Sequence, residues 1–312
     1  MDVIETIFPI LAIALVGYGV ANRGYLKQQE CDAISKFVFS YLIPSLLFIA
    51  TAKVKIPDNM EWTFLFSYYF SVLVVYLIGA CLGRAIFKYN PSEQSVFGMG
   101  SAYSNATIIG IPVCSLALGE ESLLPLFIII SVHNLALFTI GTIIAERGSL
   151  TLSNGLNDLV LLLKQLVTNP ITGSLIAGGI INYSNIPIYA PLEESLSLIA
   201  DAAIPSALFV LGASLYRYQI KGHVGSAFLM VTLKILFLPL LVWLLLFQVF
   251  TIDPLWASTA LVVSAMPVGI SAYIFSKKYQ ACEAPVAAAI VISTLGSALS
   301  LSIVLSYVSK VI

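Results

Sequence analysis

Charge is what this chain most lacks. Asp, Glu, Lys and Arg make up 10% of its 312 residues, while 59% are hydrophobic and the mean hydropathy is +0.97. A soluble domain carries roughly 25% charged residues. So few charges could not cover a water-facing surface, and the expected solvent is a lipid bilayer. Histidine is almost absent, with only His133 and His223, and the four cysteines, Cys31, Cys81, Cys114 and Cys282, stand singly. Without a CxxC pair or a neighbouring histidine cluster, no metal or redox site is expected. Apolar packing accounts for isolated cysteines in such a chain. No paired aspartate motif, histidine cluster or nucleophile elbow occurs, so catalytic residues are not expected. Nor is there a sizeable soluble portion to pass on a signal, as a receptor would need.

What is present is a series of apolar runs. Ten can be read, at roughly 3–21, 33–51, 62–83, 95–118, 122–145, 160–182, 194–215, 224–250, 256–276 and 284–308. Each is long enough, at 1.5 Å per residue, to cross a hydrocarbon core of about 30 Å. A membrane barrel would instead show segments of about ten residues alternating between apolar and polar. The fold class expected is therefore an all-α membrane protein with ten transmembrane helices. The first run is read as a permanent helix, because Asp2 and Glu5 stand where a signal peptide would be basic.

The chain is also written twice. Pro44-Ser45-Leu46-Leu47-Phe48 and Pro205-Ser206-Ala207-Leu208-Phe209 lie 161 residues apart, each after an isoleucine. The same offset relates Pro9-Ile10 to Pro170-Ile171 and Gly17 to Gly178. Ten of the fifteen basic residues lie in or beside odd-numbered connections: Arg23, Lys27, Arg84, Lys88, Arg147, Lys164, Arg217, Lys221, Lys277 and Lys278. Basic residues mark the cytoplasmic side, so both termini are expected outside. With five spans per half, the second half must enter from the opposite side. Two inverted five-helix repeats follow, as in many secondary transporters. The halves are taken as 1–145 and 160–312, with a short cytoplasmic connection at 146–159.

Matched interruptions of spans point to a binding site in such folds. The fourth span holds Asn105, Gly110 and Pro112, and the ninth holds Pro267 and Gly269. Pro112 leaves the carbonyl of Ile108 without its helical donor, and Pro267 does the same to Val263. Glycine lets the chain turn at low cost. The amides that begin each second half-helix suit an anion. The candidate substrate site is thus Asn105, Ile108, Gly110, Ile111, Pro112 and Val113, facing Met266, Pro267, Val268 and Gly269, with Asn134 beside it. Pro44 and Pro205 are read as supporting kinks in the second and seventh spans.

Three ionisable residues inside spans are candidates for coupling. Asp201 either carries a coupling proton or cation or hydrogen-bonds locally near the outer interface. Lys234 either snorkels to the cytoplasmic interface, the favoured reading, or attracts an anion or pairs with Asp201. His133 is either a satisfied structural group or a proton relay.

At these residues the chain resembles the auxin efflux carrier family, which includes plant auxin carriers and bacterial malate and malonate permeases. Asn105 with Gly110-Ile111-Pro112 is similar to the family's fourth-helix motif. Asp201-Ala202 followed by Pro205-Ser206-Ala207-Leu208-Phe209 resembles its seventh-helix pattern. Pro267 and Gly269 followed by Phe275-Ser276-Lys277-Lys278-Tyr279 resemble its ninth-helix pattern. The resemblance spans essentially the whole chain. It implies helices four and nine crossing at their prolines, with a substrate carboxylate near Asn105. It also implies an elevator motion, with helices 1, 2, 6 and 7 as scaffold and 3–5 and 8–10 as transport domain. The short central connection resembles bacterial permeases rather than the long plant members.

The function expected is secondary active transport of a small organic anion. A mono- or dicarboxylate, malate- or malonate-like, fits better than an auxin-like acid. The alternative is a sodium-coupled symporter of the bile-acid carrier type. No cofactor is expected beyond a coupling proton or sodium ion. The expected partners are the organic anion, the lipid bilayer of a bacterial inner membrane and a second copy in a homodimer, but not nucleic acid.

Overall fold

Apolar sequence in hydrocarbon must satisfy its backbone internally, which favours helices. A computed structural model describes residues 3–53, 62–146, 170–216 and 224–312, and these are helical almost throughout. Residues 147–169, which include most of the expected central connection and the start of the sixth span, lie outside the described residues. So do Lys55, Arg217 and Lys221.

In chain order the helices are α1 (Val3–Asn22), α2 (Gln28–Phe37), α3 (Ile43–Lys53), α4 (Trp62–Phe87), α5 (Pro91–Ala102), α6 (Ile111–Leu118) and α7 (Leu123–Glu146). They continue as α8 (Pro170–Tyr183), α9 (Ala190–Asp201), α10 (Ala203–Leu215), α11 (Val224–Thr232), α12 (Leu238–Trp243), α13 (Pro254–Ser264), α14 (Ile270–Tyr279) and α15 (Glu283–Val308). Among the described residues, six continuous helical stretches are long and apolar enough to cross a membrane: Gln28–Lys53, Trp62–Phe87, Glu120–Ala145, Ala190–Ser214, Val224–Val249 and Glu283–Val308. Each has 25 or 26 residues, about 38 Å at 1.5 Å per residue. Shorter apolar helices cover Ala12–Asn22, Ala106–Leu118 and Pro254–Ser264.

Several of the long stretches contain proline without breaking. A π-helical turn covers Val38–Leu42 before Pro44, Ala106–Gly110 before Pro112, and Leu233–Phe237 before Pro239. In each case the turn ends two residues before the proline. Proline removes one backbone donor, and its ring crowds the carbonyl four residues back. A wider turn just ahead of it relieves that crowding and lets the helix continue. Pro44 is therefore passed by a widened turn rather than by a break. Pro205 sits in the first turn of α10, after a turn at Ala202.

The contacts divide the chain into two units. One comprises Phe8–Asp58 and Thr151–Arg217, and so holds α1 to α3 and α8 to α10. Its helices approach at glycines. A Cβ placed on Gly17 would lie 2.0 Å from the Phe209 carbonyl oxygen, and one on Gly178 would lie 2.7 Å from that of Phe48. Asn182 Nδ2 donates to the carbonyls of Thr51 and Ala52, both at 3.0 Å. Lys53 and Glu193 form an ion pair at the end of this unit.

The other unit comprises Met1–Ile7, Asn59–Leu150 and Tyr218–Ile312, holding α4 to α7 and α11 to α15. Helix α5 begins with a reciprocal cap, Glu93 N to Asn90 Oδ1 at 3.0 Å and Asn90 N to Glu93 Oε2 at 2.8 Å, with Pro91 in its first turn. It packs between α4 and α7. Buried hydroxyls tie the three together: Tyr76 donates to the Ser95 carbonyl at 2.7 Å, and Ser95 Oγ donates to the Gly141 carbonyl at 2.6 Å. Helix α15 buries Ala287, Ala288 and Ala289 and leaves Leu295, Leu299 and Ile303 at least 63% exposed. These three lie four residues apart on one stripe, the face expected to meet lipid.

Candidate functional site

The site lies wholly within the unit that holds α4 to α7 and α11 to α15. The fourth span unwinds between α5 and the π-helical turn that leads into α6. The ninth unwinds between α13 and α14. The two short extended pieces pair as an antiparallel bridge, Ser104 with Val268. Asn105 N donates to the Pro267 carbonyl at 3.0 Å, and Gly269 N donates to the Tyr103 carbonyl at 3.0 Å. Backbone groups released by unwinding would be costly in a membrane, and here each strand satisfies the other. Gly269 is required by this contact, because a Cβ there would lie 2.5 Å from the Tyr103 ring.

Side chains satisfy the outer edges of the bridge. Ser104 N donates to His133 Nε2 at 3.2 Å, and Val268 N donates to Ser293 Oγ at 3.0 Å. Because His133 accepts through Nε2, a neutral ring carries its proton on Nδ1. That Nδ1 is buried and has no partner among the described residues. Tyr103 stacks edge-on against His133 with ring centroids 4.6 Å apart. The Asn105 side chain caps the following π-helical turn, its Oδ1 accepting from Ile108 N at 3.4 Å. Its other end, Nδ2, is buried without a partner among the described residues. Leaving a buried donor unmade costs about 1–3 kcal/mol.

The expected site residues lie in this unit, with one change of register. Asn105, Ile108, Gly110, Ile111, Pro112, Val113, Met266, Pro267, Val268 and Gly269 are all buried in this unit. Pro267 lies in the unwound stretch. Pro112 does not: it sits in the first turn of α6, past the widened turn that absorbs it. The segment facing Pro267 is Tyr103–Asn105, seven residues before Pro112 at its near end, so the two prolines are not the pair that meet. Asn134 follows His133 on α7, and its side chain lies outside the described residues.

The coupling candidates separate. His133 is at the bridge. Lys234 does not snorkel: it is fully buried, and its Nζ donates to the Ser264 carbonyl at 2.5 Å. Ser264 ends α13, and a cation there complements the negative end of the helix. Asp201 ends α9 in the other unit and is exposed. Sequence reading missed Tyr103, Ser104, Ser264 and Ser293. Serines in small-residue spans read as packing, and only the pairing of two distant strands gives them a task.

Residues 2–305 match the family described as membrane transport protein. A putative malonate transporter of Rhizobium meliloti is 21% identical over 94% of this chain and 92% of its own length. Auxin efflux carrier component 5 of Arabidopsis thaliana is 22% identical over 98% and 95%. An uncharacterized transporter of Methanocaldococcus jannaschii is 23% identical over 96% of each. These relatives are transporters, not enzymes. With its apolar helices and a family match over nearly its whole length, the chain belongs to the membrane transport protein family, the auxin-efflux-carrier-like transporters, as an integral multi-pass membrane protein.

Proposed function

We propose that the protein is a secondary carrier of small organic anions, with the bridged crossing of spans four and nine as its substrate site. The observation that carries this reading is the pair of buried, partnerless donors, Asn105 Nδ2 and His133 Nδ1, beside the start of a half-helix. A carboxylate supplies the acceptors they lack, and the positive end of the helix favours its charge. Transport of malonate, named for one relative, makes a short carboxylate the first class to test.

In this reading the chain makes ten crossings as two inverted repeats. The glycine contacts support it. Gly17 meets Phe209, and Gly178 meets Phe48; both the glycines and the phenylalanines are 161 residues apart in sequence. The unit carrying the crossing is the transport domain, and the unit of α1 to α3 and α8 to α10 is the scaffold for an elevator motion. Basic residues such as Arg23, Lys27, Arg84 and Lys88 face the cytoplasm, and both termini lie outside. Sodium coupling is less favoured, because the carbonyl that ends α13 already receives an ammonium.

The test is a thermal-shift screen of the purified protein with malonate, malate, lactate and indole acetate, with and without sodium. One carboxylate should raise the melting midpoint, and Asn105→Ala should abolish that shift. If Asn105→Ala responds as the wild type does, the site assignment fails.

A further inference from the structure

Lys234 has an unbalanced charge. Its side chain is 0% exposed. An ammonium carries three N–H groups, and the described residues give this one a single acceptor, the Ser264 carbonyl. The described ion pairs, Lys53 with Glu193 and Lys277 with Glu283, do not involve it. The end of α13 offers about half a negative charge, which leaves much of the ammonium uncompensated. Buried charges are normally paired.

Its position indicates what the missing partner is. Ser264 immediately precedes the unwound piece whose Pro267 carbonyl binds Asn105 N. The π-helical turn that carries Lys234 also packs on α5 and α15, the helices that lead into and support the crossing. Thus Asn105 on the fourth span and His133 on α7 present neutral donors, and the Lys234 amine meets the residue that leads into the unwound ninth span, all within one unit. A first carboxylate is met by neutral donors and a helix start. The ammonium asks for a second anionic group.

We propose that Lys234 is the specificity-determining residue of the crossing, receiving a second carboxylate, so that the preferred substrate is a compact dicarboxylate. This rests on the anion-carrier reading above and deepens it. Malonate and its monoamide, malonamate, differ in one charge at nearly constant shape, and their affinities for the purified wild-type protein are compared by calorimetry. Malonate should bind at least tenfold more tightly. In Lys234→Met that preference should vanish. The ligand-free melting midpoint of this variant should stay level or rise, because an unpaired buried charge has been removed.

Equal affinities of the wild type for the two ligands would overturn the inference without needing any variant. So would a Lys234→Met protein that keeps the preference but melts lower, since the lysine would then be only a helix cap. Asn105→Ala separates this inference from the broader reading. If it binds both ligands as the wild type does, the anion site itself is wrong. If it loses both while Lys234→Met still prefers malonate, only the role of Lys234 fails.

Discussion

At the scale of single residues, the candidate site holds two buried donors without partners among the described residues. The two nitrogens of His133 differ: Nε2 accepts from the Ser104 amide, and Nδ1 is buried with no partner among the described residues. His133→Phe fills the volume but strands a buried amide, which costs about 1–3 kcal/mol. Chemical or thermal unfolding in detergent should show that loss. His133→Gln, whose carbonyl oxygen can still accept, should recover most of it. Equal stability of the two variants would show that the Ser104 contact contributes nothing. Asn105 was legible in the sequence, because an amide beside Gly110-Ile111-Pro112 in an apolar run has few structural reasons to be there. Lys234 was not. A lysine in an apolar span reads as a snorkelling side chain, and only the freed end of α13, thirty residues on, gives its ammonium an inward partner.

At the scale of elements, proline and glycine do different work. Pro44, Pro112 and Pro239 each follow a widened turn and leave their helices running, whereas Pro267 lies in a true interruption. Sequence could not separate these cases. The proline signal is the same in all four, and the difference is whether another strand waits to pair with the released backbone. Glycines discriminate more sharply. Gly17 and Gly19 both lie in α1, but a Cβ on Gly17 would overlap the Phe209 carbonyl oxygen, while one on Gly19 would meet nothing within 4 Å. Gly17→Ala should force α1 away from α10 and destabilise the protein by more than about 2 kcal/mol, as overpacking does. Gly19→Ala should stabilise it by about 0.5–1 kcal/mol through helix propensity. A rank order reversed in detergent unfolding would refute the packing described for this unit.

At the scale of the whole molecule, composition carried most of the information. Scarce charge and long apolar runs announced a membrane protein, and the described residues are helical, with six stretches long and apolar enough to cross a membrane. The grouping into two units was not visible in composition, because both units are equally apolar. Topology remains to be tested in cells. The reading with both termini outside places the connection after α1 in the cytoplasm and the one after α8 outside. Single cysteines at Tyr25 and Ile186, both exposed, in a background without the four native cysteines, would report this. A membrane-impermeant maleimide should label Ile186→Cys in intact cells and Tyr25→Cys only after lysis. The opposite pattern would reverse the orientation.

The bridge between Ser104 and Val268 is made from peptide groups, which every residue type except proline can supply in full. Its two bridging hydrogen bonds are thus independent of side-chain identity, while Gly269 must stay small against Tyr103 and His133 and Ser293 hold the outer edges. The lining of the junction can therefore change, within those limits, while its backbone hydrogen bonds stay as they are.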